Sequence, residues 1–251
     1  MPRTKSGLLA NWWSAQVTFR RRISVPMANK PDFVRGIHED YILAGANVLS
    51  TNSFQLCRRA LYNHFRDEAH RRQVGARDLD ERANKLLAAS VVLAREARER
   101  IAPKHPVAVA AAVTTLEWCF RPDMAPSADQ ARAEYTEIFQ VVKDAGADMV
   151  LLETVNSITE ARVALEVAKK IGLPCWVAFV CDQKGLLFTR ETLADAVCVL
   201  EPLGVDAILL NCAPPDDISA GMRELSPHAR VPIGGYAHIG RFDPPEWMFT
   251  D

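Results

Sequence analysis

Residues 144–180 read DAGADMVLLETVNSITEARVALEVAKKIGLPCWVAFV, and the way this stretch folds sets the way the rest must fold. A run of apolar and β-branched residues, Met149 to Thr154 (MVLLET), gives way to Ser157 and Glu160 at capping-box spacing, in which each side chain satisfies the other's free backbone donor. The segment that follows closes near Gly172, a residue that accepts the left-handed conformation at a helix end. A second short apolar run, Cys175 to Val180 (CWVAFV), comes next. Strand, helix and strand in this span form the pattern of a parallel βαβ unit.

The alternation extends in both directions. Asn47 to Phe54 (NVLSTNSF), Val107 to Val113, Ala207 to Cys212 and Pro232 to His238 bring the candidate strands to six. Ser127 and Gln130 repeat the capping-box spacing ahead of a helix ending near Gly146, and Asp78 with Glu81 opens another that runs through Leu86, Leu87 and Val91 toward Ile101. Pro31 stands where a first-turn proline is tolerated, and Phe33, Ile37 and Tyr41 recur at spacing four up to Gly45, which predicts an amphipathic helix. Helical segments near 190–203 and 215–225 complete the set. Strands separated in this way fit a closed barrel or an open doubly wound sheet. The first strand-to-helix turn, SFQLCRRAL at 53–61, contains no glycine-rich phosphate loop, which favours the barrel over the dinucleotide-binding sheet.

The 251 residues, 49% hydrophobic and 24% charged, suit one soluble domain, here residues 31–251 behind an atypical basic segment at 1–30. That segment holds Arg3, Lys5, Arg20, Arg21, Arg22 and Lys30 with no acidic residue, and reads as a solvated tail or, less favoured, an organelle presequence. Trp12, Trp13, Val17 and Phe19 within it read as packing residues. Thirty basic against 31 acidic residues give no global attraction to nucleic acid or anionic membrane, and no apolar run reaches a membrane-spanning length, so the expected partner is a small molecule. Six scattered cysteines without CxxC pairs point to a reducing, cytoplasmic setting.

Four segments, PDFVRGIHEDYILAGANVLSTNSFQ (31–55), the 144–180 stretch, GVDAILLNCAPP (204–215) and VPIGGYAHIGRFDPPEW (231–247), resemble the homocysteine S-methyltransferase family in order and spacing. The resemblance implies an α/β fold of the (βα)8 TIM-barrel type. It also implies zinc-dependent transfer of a methyl group to the thiol of homocysteine, giving methionine, from a donor that no residue identifies. The family's zinc is held by three cysteines, which leaves a fourth tetrahedral position for the substrate sulfur. By position in LLNC, Cys212 matches the sixth-strand ligand. Glu153 in LLET matches the acidic residue that holds the amino group, and Thr51, Asn52 and Asn211 match residues lining the pocket. Apart from the resemblance, Cys212 reads as a small buried residue, Glu153 as half of a buried ion pair and Asn211 as a strand cap.

Two parts of the family pattern have no counterpart here. The Asp-Gly-Gly-x-Gly-Thr motif of the first strand is replaced by SGLLANWWSAQVTFRRRISV (6–25), and no adjacent cysteine pair of an eighth unit follows FDPPEW. The expected barrel is therefore incomplete, with an altered first strand, a missing eighth βα unit and an open edge that another copy or a partner chain would cover. Three functions stand on this reading. One is a methyltransferase whose missing thiolates come from outside the chain, and another is a catalytically impaired or truncated relative serving as a binding or assembly subunit. The third, less favoured, is a reaction on a phosphorylated substrate held near Gly234, Gly235 and Gly240. A metal site rebuilt from Cys119, Cys181, His238 and Cys212 is a further alternative.

Overall fold

The computed structural model describes residues 30–63, 67–73, 78–243 and 246–249. The basic segment at 1–29, with Trp12, Trp13, Val17 and Phe19, lies outside the described residues. Six strands pair in parallel in the order of the chain: β1 (Val48–Ser50), β2 (Ala108–Thr114), β3 (Met149–Val155), β4 (Cys175–Phe179), β5 (Ala207–Asn211) and β6 (Ile233–Tyr236). All six runs read from the sequence are strands. The chain never reverses its direction of travel across the sheet, which is the winding of a barrel and not of a doubly wound sheet. A short antiparallel pair, β7 (Gly240–Asp243) and β8 (Glu246–Phe249), follows and was not foreseen.

Alternation along the strands divides the apolar residues between two faces. Val109, Ala111, Val113, Val150, Leu152, Val177, Phe179, Ile208 and Leu210 face outward into the main core under the helices. Ala110, Met149, Leu151 and Ala178 face inward and pack with Val48, Trp176 and Leu209. The sheet is strongly curled, as one side chain demonstrates: Glu153 on β3 is hydrogen-bonded to Ser50 on β1 and to Tyr236 on β6. In a flat sheet β3 and β6 would stand about 14 Å apart, three strand spacings, beyond the reach of a glutamate and a tyrosine that both rise from the sheet. The product is a curled half-barrel with β1 and β6 at its edges among the described residues.

The helices are α1 (Pro31–Leu43), α2 (Arg58–Tyr62), α3 (Glu68–Gln73), α4 (Leu79–Ile101), α5 (Ala128–Asp144), α6 (Ile158–Ile171), α7 (Leu193–Leu200) and α8 (Pro215–Leu225). Ser127 and Gln130 form the expected capping box, and Gly146 and Gly172 take left-handed conformations at φ 89° and 83°. The helices expected behind Pro31, Asp78 and Ser157 all form, but one local detail of each differs for tertiary reasons. In α1 the stripe Phe33, Ile37 and Tyr41 is 64%, 41% and 60% exposed, whereas Val34, His38 and Ile42 enter the core. Asp78 makes no cap bond because its backbone is left-handed at φ 53°, and Glu81 pairs with Lys85 instead.

The third concerns Ser157, which accepts the Glu160 N–H while the Glu160 carboxylate does not return the bond. It turns into the core, where it accepts the Leu116 N–H at 2.9 Å and the Tyr135 hydroxyl at 2.8 Å. Burial holds its pKa above the usual carboxylate range. This contact ties α6 and α5 to the loop after β2, so Tyr135→Phe, which deletes one of two buried donors, should cost about 1–3 kcal/mol in urea unfolding. An unchanged midpoint would show that the loop is held by other contacts.

Candidate active site

The C-terminal ends of parallel strands gather side chains at the mouth of a barrel, and here backbone irregularities aim them. Pairing between β3 and β4 shifts register between Leu152 and Val155, and Thr154 inside that irregularity has φ 58°. Cys212, just past β5, has φ 52°. Left-handed conformations at non-glycine residues cost of order 1–3 kcal/mol each and persist where surrounding contacts enforce them. Those contacts run through the buried Asn211. Its Oδ1 accepts the Thr154 N–H at 3.1 Å, while its Nδ2 donates to Thr154 Oγ1 at 2.8 Å and lies 3.5 Å from Cys212 Sγ. The Thr154 hydroxyl donates to Cys212 Sγ at 3.3 Å. Asn211 thus laces β3 to β5 across the end of β4.

Two donors aimed at Sγ favour a thiolate, but burial outweighs them. The Cys212 pKa is raised by desolvation and, more weakly, by the charge of Glu153, so the thiol holds its proton near neutral pH. Glu153 faces inward from β3. Burial pushes its pKa up to about 7 against the opposing hydrogen bonds from Tyr236 and from Ser50 Oγ, the latter at 3.3 Å. No described lysine, arginine or histidine forms an ion pair with it, so the buried-ion-pair reading does not apply among the described residues. Tyr236 is hydrogen-bonded to both Glu153 and Asn211, and burial followed by the Glu153 charge drives its phenol pKa upward.

The structure therefore brings Glu153, Asn211 and Cys212 together. Thr51 stands apart: its Oγ1 accepts the Ala112 N–H at 3.0 Å and shares a 2.6 Å hydrogen bond with Ser53, extending the β1–β2 contact. Asn52, half-buried, is the next residue on the loop after β1. Tyr236 and Ser50 were not singled out from sequence. The available signal was period two: Tyr236 shares the inner face with Gly234, and Ser50 shares it with Val48. The β6 glycines have a packing role, since a Cβ on Gly235 would lie 3.0 Å from Ile218 Cγ2 and from the Leu210 carbonyl oxygen. Over the β2 and β4 loops, Trp118, Cys119, Phe120 and Val180 pack with Phe54 and Phe188. The Phe120 and Phe188 rings meet edge-on at 5.5 Å.

The described residues do not fit a zinc ion by themselves. No group of three His, Cys, Asp or Glu side chains able to hold a metal occurs among them, and the Thr154 hydroxyl and the Asn211 amide donate to Cys212 Sγ. The alternative site fails for reasons of direction. The Cys181 thiol lies against Gly221 of α8 on the outer side of the sheet, where burial pushes its pKa to about 12. Cys119 belongs to the aromatic cluster, and His238 Nδ1 is engaged with the backbone of Gly240. No described helix is long and apolar enough to cross a membrane.

The sequence profile described as Homocysteine S-methyltransferase matches residues 6–249. The chain is 30% identical to methionine synthase of Mycobacterium leprae over 222 residues, which cover 84% of this chain and 17% of that protein. It is 26% identical to homocysteine S-methyltransferase 3 of Zea mays over 245 residues, 88% of this chain and 69% of that one. The crystal structure of the metallated homocysteine methyltransferase MmuM from Escherichia coli superposes with a TM-score of 0.74 at 25% identity, covering 86% of this chain and 75% of that one.

The raised pKa of Glu153 has a definite sign for stability. The folded state favours the protonated form, so the penalty is absent below the unfolded value of 4.5, grows as pH rises toward about 7, and is complete above it. Glu153→Gln should match the parent in urea unfolding near pH 4 and exceed it by about 2 kcal/mol near pH 8. Equal stability at the higher pH would show that the folded protein compensates the charge.

Proposed function

Because this chain belongs to the homocysteine S-methyltransferase family, we propose that its half-barrel mouth binds homocysteine as the acceptor in a methyl transfer that yields methionine. The observation that carries this reading is Glu153, an inward-facing carboxylate with neutral hydroxyl partners and no described cation. A substrate ammonium would supply the missing charge and pull the Glu153 pKa down, so binding and ionisation of the carboxylate reinforce each other. Asn211 and Thr154 hold Cys212 beside that carboxylate, where the substrate thiol would arrive. In the transfer the sulfur forms a bond to the donor methyl carbon, the donor leaves with the electron pair of the broken bond, and the thiol proton passes to solvent.

Zinc, the metal the resemblance implies, would find one cysteine ligand here, Cys212, and the other ligands would have to come from beyond the described residues. This also supports a second reading, a relative that binds homocysteine without turning it over. The chain spans 17% of the mycobacterial protein it resembles.

Calorimetry with homocysteine, combined with zinc per chain by elemental analysis, separates these readings. Binding that weakens about tenfold or more in Glu153→Gln, with about one zinc that is lost in Cys212→Ala, would support the methyltransferase. The same binding without zinc would favour the binding subunit. A chain that takes up neither ligand would overturn both.

A further inference from the structure

Thr114 ends β2, is 3% exposed, and carries a hydroxyl with no hydrogen-bond partner among the described residues. Its carbonyl is engaged by the Tyr135 hydroxyl at 3.3 Å, so the backbone is held while the side chain is left over. Register pairs Thr114 with Glu153 on the adjacent strand. Alternation places both on the inner face, because Ala110 and Leu151, at even spacing behind them, belong to the inward apolar cluster. An unsatisfied buried hydroxyl costs about 1–3 kcal/mol, and valine would fill the same shape without that cost.

We propose that Thr114 is a substrate-binding residue whose hydroxyl hydrogen-bonds the carboxylate of the amino acid whose ammonium pairs with Glu153. Adjacent strands lie about 4.8 Å apart, a span that the ammonium and carboxylate of one α-carbon bridge with one contact to each strand. The neutral hydroxyl suits this position for an electrostatic reason. A lysine or arginine there would pair with Glu153 and close the site, whereas a hydroxyl donates to an anion and leaves the Glu153 charge for the ammonium. Gln55 and Asn156 also bury amides without partners among the described residues, but they lie on loops with no strand register to set them beside Glu153.

The inference rests on the amino-acid reading of the mouth, and the test separates the two. The full chain, in buffer containing zinc, is titrated with homocysteine and with 3-aminopropane-1-thiol, which keeps the thiol and amine but lacks the carboxylate. Thr114→Val should weaken homocysteine about tenfold, leave the aminothiol unchanged and raise the melting temperature, while Thr114→Ser should restore homocysteine binding. Homocysteine binding unchanged in Thr114→Val, or no preference of the parent for homocysteine over the aminothiol, would overturn the role of Thr114 and leave that of Glu153 intact. A parent chain that binds neither compound would overturn both.

Discussion

Six parallel strands must bury their outward faces under helices, and because the strands are laid down in chain order that burial forces the sheet to curl. Val150, Leu152, Val177, Phe179, Ile208 and Leu210 belong to one core shared with the helices around them. An all-parallel sheet gains its stability from such double coverage, with helices on one side and, in a barrel, its own inner residues on the other. Curling brings the inner faces of β1, β3 and β6 within reach of one another, so that Ser50, Glu153 and Tyr236 meet although 186 positions separate the first from the last.

The mouth that results sets stability against chemistry. Glu153 faces inward without a described cation, Thr154 and Cys212 hold left-handed backbones, and Thr114 buries a hydroxyl without a partner among the described residues. Each of these opposes folding by an amount that the apolar layers must offset. These unfavourable features gather at the C-terminal ends of β2, β3 and β5, the end of the sheet on which the proposed site stands. Other charges behave differently: Arg59 with Glu117 and Glu134, and Arg98 with Asp148, are paired structural contacts.

Legibility from sequence varied with the range of the forces involved. The capping box at Ser127 and Gln130 was readable because it closes within one helical turn. The identical spacing at Ser157 and Glu160 misled because a buried tyrosine and a distant backbone N–H compete successfully for the glutamate. The stripe Phe33, Ile37 and Tyr41 misled in a related way. Spacing establishes that three side chains share a face but not which face meets the core.

By itself the sequence determined the alternation of strands and helices, the parallel α/β class, the family, and the residue types that end β3 and β5, because these follow from period, local capping and residue order. Only the tertiary structure decided which side chains converge. The curl brought Tyr236 and Ser50 to Glu153, the irregularity after Leu152 turned Thr154 toward Cys212, and strand register set Thr114 beside Glu153. The physical reason is that convergence depends on the relative placement of strands, which is set by packing summed over the whole sheet and is written in no single segment.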